Sequence, residues 1–157
     1  AVLARFGLSD VPWHPEEEVP FPDAVPALSE LRRRGYSLGI IANQVAGLPE
    51  RLAQRGMGGL FAVIVTSADF GAKKPETALF EAALRQAGCL PAEAAMVGDR
   101  LDNDIAPAKR LGMRTVRILQ GYGALSRPRN GWEEPEETVR TLAELPGLFS
   151  EDKGETE

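Results

Sequence analysis

The chain has 157 residues, 43% of them hydrophobic and 26% charged, and a formal net charge of −5. This is the composition of a globular domain large enough to bury a core, rather than that of a disordered chain. The acidic balance, with no basic patch interleaved with aromatics, argues against nucleic acid as a partner. The single Cys89 excludes an intrachain disulfide, and no apolar run approaches a membrane span, so the expected setting is cytoplasmic and away from membranes.

Taken in chain order, the pattern is one of repeated strand–loop–helix units. Apolar spacing predicts a helix over 25–31 that ends near Gly35, then a near-continuous apolar strand over 36–42, the mark of a strand covered on both faces. A short amphipathic helix follows over 49–55, closed by Gly56, and a strand over 62–66. The clearest helix is 76–87, with Leu79, Phe80, Ala83, Leu84 and Ala87 on one face and Gly88 as its stop. A third strand is expected at 94–97, a third helix at 102–111 and a fourth strand at 114–119. Residues 120–137, rich in Gly, Pro and Arg, read as a surface loop, 136–149 as a final helix, and 150–157 as a frayed, disordered tail. Strands alternating with helices at this spacing imply an α/β fold with a parallel sheet and right-handed crossovers.

Polar residues gather at the predicted strand ends. Gly98-Asp99-Arg100-Leu101-Asp102-Asn103-Asp104 follows the third strand, where open α/β sheets bind their ligands. Carboxylate oxygens there suit Mg²⁺, which usually works on a phosphate. The alternative is a solvated acidic turn that caps a helix through Asp102 or Asn103. Lys74 stands just before Pro75, which biases it to an extended backbone and allows its ammonium to reach back over the sheet edge as a counter-charge; otherwise it is a surface lysine. Asn43 ends the first strand and either presents its N–H and amide to an anion or caps the next helix. Trp13, His14 and Trp132 read as loop packing or cap remnants rather than substrate contacts.

With these residues in place, the chain resembles the haloacid dehalogenase (HAD) superfamily, in the subgroup of phosphoglycolate-phosphatase-like hydrolases. Leu38-Gly39-Ile40-Ile41-Ala42-Asn43 resembles its second motif. Gly71-Ala72-Lys73-Lys74-Pro75, with Phe80 after it, resembles the third, and Gly98-Asp99 through Asp104 the fourth, as GDxxxxD. The likeness runs from Pro20 to Phe149. It implies a three-layer Rossmann-like parallel sheet and Mg²⁺-dependent hydrolysis of a small-molecule phosphate ester through an aspartyl-phosphate. It also assigns Lys74 and Asp99 to catalysis, Asn43 and Lys74 to the phosphate, and Asp99 with Asp104 to the metal, Asp104 either as ligand or as orienting group.

Two departures stand beside these matches. The family's first motif, DxDx(T/V), which carries the aspartate nucleophile, has no match: neither Asp10 nor Asp23 follows a buried strand. Ala42 stands where the family usually has Ser or Thr. The implied organisation is a cap remnant over 1–19, a core over 20–149 lacking its first, central strand, and the tail. The nucleophile and that strand are then expected from a missing N-terminal segment or a partner. A non-catalytic HAD-like binding domain is the alternative, and dehalogenation a variant of the enzyme reading.

Overall fold

A computed structural model describes residues 14–149; the expected tail at 150–157, Trp13, and the greater part of the expected cap remnant lie outside them. Among the described residues five short strands run parallel: β1 (Gly39–Ala42), β2 (Val63–Thr66), β3 (Ala95–Gly98), β4 (Arg114–Ile118) and β5 (Glu137–Val139). The helices between them are α1 (Ala24–Arg33), α2 (Leu48–Gln54), α3 (Ser67–Phe70), α4 (Thr77–Ala87), α5 (Ala106–Leu111) and α6 (Leu145–Leu148).

The strands form two ladders rather than one. In the first, Gly39 of β1 is opposite Val63 and Ala42 opposite Thr66 of β2. In the second, β3, β4 and β5 lie in that order, with Ala95 opposite Arg114 and Val116 opposite Glu137. The break falls between β1 and β3, where the sequence leads one to expect a central strand.

Alternation of side chains along each strand builds the three layers. Ile40 and Ala42 of β1 and Ile64 of β2 pack with Leu48 and Leu52 of α2, while Ile41 packs on the opposite face with Val63, Val65 and the α4 residues Leu79, Ala82 and Ala83. In the second ladder Val116, Ile118 and Val139 pack under Leu31 of α1 and Leu145 of α6. On the other face Met96 meets Phe80 and Leu84 of α4 and Ala108 of α5. Ile41 also packs against this last cluster, and Leu38 shares the α1–α6 cluster with Val97. Side-chain packing, with α4 spanning the joint, holds the two ladders together.

The structure corrects the sequence reading of these elements in two places. The first strand starts at Gly39, not 36: Gly35 turns the chain at φ 92°, and Tyr36 leaves the ladder to pack edge-on against Phe149, ring centroids 5.7 Å apart. The expected final helix over 136–149 is first a strand, because Thr138 and Val139 are β-branched and Arg114 grips Glu137 through Nη2 at 2.6 Å and Nε at 3.1 Å. Helix remains only at Leu145–Leu148, after a short 3₁₀ turn at Leu142–Glu144. The loop after β4 is largely exposed, as expected, and is tied down: Lys109 Nζ donates to the carbonyls of Gly131 (3.1 Å) and Glu134 (2.8 Å), and Arg110 lies over the Trp132 ring at 5.8 Å.

Thr66 links fold to site. Fully buried at the end of β2, it caps α3 by accepting from the Asp69 N–H (3.2 Å) and donating to Asp69 Oδ2 (2.6 Å). α3 ends at Gly71, where the lysine loop begins. Thr66→Val should therefore lower stability by about 1–2 kcal/mol in urea unfolding, the usual cost of a lost cap.

Candidate functional site

At the carboxyl ends of β1 and β3, one cleft of about 850 Å³ is lined by Asn43, Lys74, Asp99, Asp104, Gly123 and Arg127, among others. All four residues singled out from the sequence thus meet in one place.

Each is held by the local backbone. The Asn43 amide clamps the lysine loop: its Oδ1 accepts from the Lys74 N–H at 2.7 Å, and its Nδ2 donates to the Lys74 carbonyl at 3.0 Å. Its side chain thus positions Lys74 through both its oxygen and its nitrogen. Capping by Asn43 is not what the structure has; the N-cap of α2 is Gly47, with no side-chain cap. The next residue is committed as well, since the Gln44 N–H donates to Ser67 Oγ at 3.1 Å.

Lys74 Nζ donates to Asp104 Oδ1 at 2.6 Å, and both side chains are nearly buried, 13% and 6% exposed. The other carboxylate oxygen, Oδ2, accepts from the Arg100 N–H at 3.1 Å. With both oxygens engaged, Asp104 orients the ammonium. Two N–H bonds of Lys74 remain for a ligand.

Asp104 reaches this position through two local devices. The predicted helix over 102–111 opens instead with a π-helical turn, Leu101–Ile105, before regular helix resumes at Ala106; such turns recur at functional sites. Neither Asp102 nor Asn103 makes a side-chain cap there. Gly98 ends β3 against Asp104, where a Cβ would overlap the Asp104 Cβ and come within 2.6 Å of Oδ2. The glycine is required by this close approach. Asp102 points outward to Arg100, at 3.0 Å. Burial works against its charge, but the guanidinium prevails and holds its carboxyl below the usual range.

Asp99 follows Gly98 and is partly buried. Its Oδ2 accepts from the Gly123 N–H at 2.9 Å, which leaves Oδ1 for a ligand. Among the described residues no group of three or more His, Cys, Asp or Glu side chains is placed to hold a metal. One carboxylate still suits Mg²⁺, which keeps several waters and takes further oxygens from phosphate.

Sequence reasoning missed the part played by the loop after β4. From there the Gly123 N–H reaches Asp99, and Arg117 of β4 donates to the loop's carbonyls; the signal was a charged residue inside a strand with two glycines soon after it. His14, by contrast, is exposed, and its ring lies 3.1 Å from the Glu16 carboxylate, away from the cleft. No helix among the described residues is long and apolar enough to cross a membrane.

Known proteins are similar to this chain. A glyceraldehyde 3-phosphate phosphatase of Methanopyrus kandleri is 39% identical over 84% of the chain and 57% of its own length. A phosphoserine phosphatase of Thermus thermophilus is 36% identical over 80% and 49%. The crystal structure of a HAD phosphatase from Thermococcus onnurineus superposes with a TM-score of 0.71 at 36% identity, covering 82% of this chain and 57% of that one. The chain spans about half the length of the curated relatives it matches. With the family model for haloacid dehalogenase-like hydrolases matching residues 8–112, and with the parallel fold and lysine–aspartate cleft above, the chain belongs to the haloacid dehalogenase-like hydrolase family.

Proposed function

We propose that the chain is the charge-stabilising part of a Mg²⁺-dependent phosphomonoester hydrolase acting on a small phosphate ester in the cytoplasm. The observation that carries this reading is the nearly buried Lys74–Asp104 pair in the same cleft as Asp99. Burying an ammonium is expensive unless it is paired; Asp104 supplies the pairing, and the remaining N–H bonds lie in the cleft where a phosphoryl group would develop negative charge. Lys74 binds the phosphoryl oxygens through its two remaining N–H bonds, with the Asn43 backbone N–H as a further donor. Asp99 Oδ1 is the protein's ligand for the cation, with Asp104 behind it. When bound, Mg²⁺ supplies charge neutralisation at the phosphate oxygens.

None of these groups attacks phosphorus. We assign that role to an aspartate on a strand lodged between β1 and β3. Support comes from the break in the sheet and from Ile40, Ile41 and Val97, apolar strand residues that are only partly buried. Such an aspartate would form an aspartyl-phosphate, which water then hydrolyses, splitting the displacement into two steps. The phosphatase names of the similar proteins agree with a small phosphate ester as substrate.

The test is a phosphate-release assay on residues 1–157 alone and on the same residues joined to an upstream DxDx(T/V) strand. Turnover should require both that strand and Mg²⁺. Robust Mg²⁺-dependent activity from residues 1–157 would show that the nucleophile lies among them. Inactivity of both forms towards a panel of phosphate esters would favour a binding domain.

A further inference from the structure

The loop that leaves β4 is fastened by a buried arginine whose charge meets no carboxylate among the described residues. Arg117 is 8% exposed. Its Nη2 donates to the carbonyls of Gly123 (2.7 Å), Ala124 (3.3 Å) and Ser126 (2.7 Å), while its Nε is buried without a partner. A valine would fill a strand position at less expense, since a buried guanidinium loses its water and here recovers only carbonyl dipoles.

What Arg117 secures is the shape of the loop. It is in register with Gly98, the residue before Asp99, and the loop it holds folds back over that strand end. There the Gly123 N–H reaches Asp99 Oδ2 at 2.9 Å. The fit leaves no slack: a Cβ on Gly121 would come within 2.9 Å of the same oxygen, and one on Gly123 would overlap the Asp99 carbonyl.

We propose that Arg117 is a positioning residue for Asp99, acting through residues 121–126. By fixing Gly123 it commits Oδ2 to a backbone N–H, sets the plane of the carboxylate and leaves Oδ1 for a divalent cation. The inference rests on the reading of Asp99 as a cation ligand. Partners that orient a metal ligand typically change metal affinity by about 10–100-fold.

Electrostatics gives the test a useful sign. Deleting a positive charge near a cation site should by itself tighten Mg²⁺ binding. Weaker binding by Arg117→Met is therefore the signature of lost orientation. Arg117→Lys keeps the charge but replaces the planar fork with a compact ammonium, and it should fail in the same direction.

Magnesium titrations and amide exchange would be followed by NMR on the ¹⁵N-labelled chain, its two Arg117 variants and Asp99→Ala. In the wild-type chain the Gly123 amide should be protected from exchange. In both Arg117 variants its exchange should quicken about tenfold and the Mg²⁺ Kd rise about tenfold, with the Phe80 amide unchanged. Undiminished Mg²⁺ binding by Arg117→Met would overturn the proposal, provided Asp99→Ala abolishes binding. If Asp99→Ala has no effect, the metal reading itself fails. Should the variants not fold, an unprotected Gly123 amide in the wild-type chain overturns the proposal and a protected one supports it.

Discussion

In the chain joined to an upstream nucleophile strand, Lys74→Ala should lower kcat about a thousand-fold, equivalent to roughly 4 kcal/mol of transition-state stabilisation. The magnitude follows from the setting. The ammonium is nearly buried and aimed by two independent restraints, the Asn43 clamp on its backbone and the Asp104 carboxylate on its Nζ. A preorganised charge in a site shielded from water is worth far more than one on the surface. Asp99→Ala should be comparably severe in the presence of Mg²⁺. His14→Ala should stay within about twofold of the parent, since that side chain touches nothing in the cleft. Because Lys74→Ala strands a buried carboxylate, thermal unfolding of each variant accompanies the kinetics, and Lys74→Met serves as a bulkier comparison. A folded Lys74→Ala protein retaining a tenth of parental kcat would remove the lysine from catalysis.

Gly98→Ala should be severely damaging for a single added methyl group. The added carbon has no free direction, because Asp104 occupies the space where it must go. Overpacking costs about 1–3 kcal/mol even in a yielding core. Here it also pushes Asp104 off Lys74, and breaking one partner from a buried pair costs about 3–5 kcal/mol. The expected loss is roughly 4 kcal/mol in urea unfolding, and the form joined to an upstream nucleophile strand should lose its proposed turnover as well. Gly131→Ala makes the control, as a Cβ at that exposed glycine meets nothing within 4 Å. Equal stability of the two variants would show that the strand end moves freely.

The sequence was most informative where periodicity and punctuation agreed. The helix expected at 76–87 is present as Thr77–Ala87, with Gly88 at φ 68° as its stop. β2, β3 and β4 fall within a residue or so of their expected places, because each is a run of apolar or β-branched residues between polar loops. Residues 136–149 misled because Leu142, Leu145 and Leu148 have helical spacing, while the strand pairing of Glu137–Val139 depends on Arg114, distant in sequence. At the site, Asn43, Lys74, Asp99 and Asp104 were legible as residue types at strand ends. That Asn43 serves Lys74, and Asp104 likewise, follows from contacts across about thirty positions, which no local pattern records. Arg117 was hidden for a different reason: an arginine in a strand reads as an exposed edge residue until the loop it anchors is seen.

The break between β1 and β3 bears on how the protein behaves in company. Among the described residues each of these strands has one side without a ladder partner, and neither carries a lysine or proline to discourage pairing. Unpaired N–H and C=O groups along short apolar strands are a template for any extended chain that arrives. Concentration then sets the outcome. On the function proposed above, a strand supplied in the same molecule or by another would pair along β1 and β3 when the protein is dilute, and when it is crowded two copies would compete for the same edges.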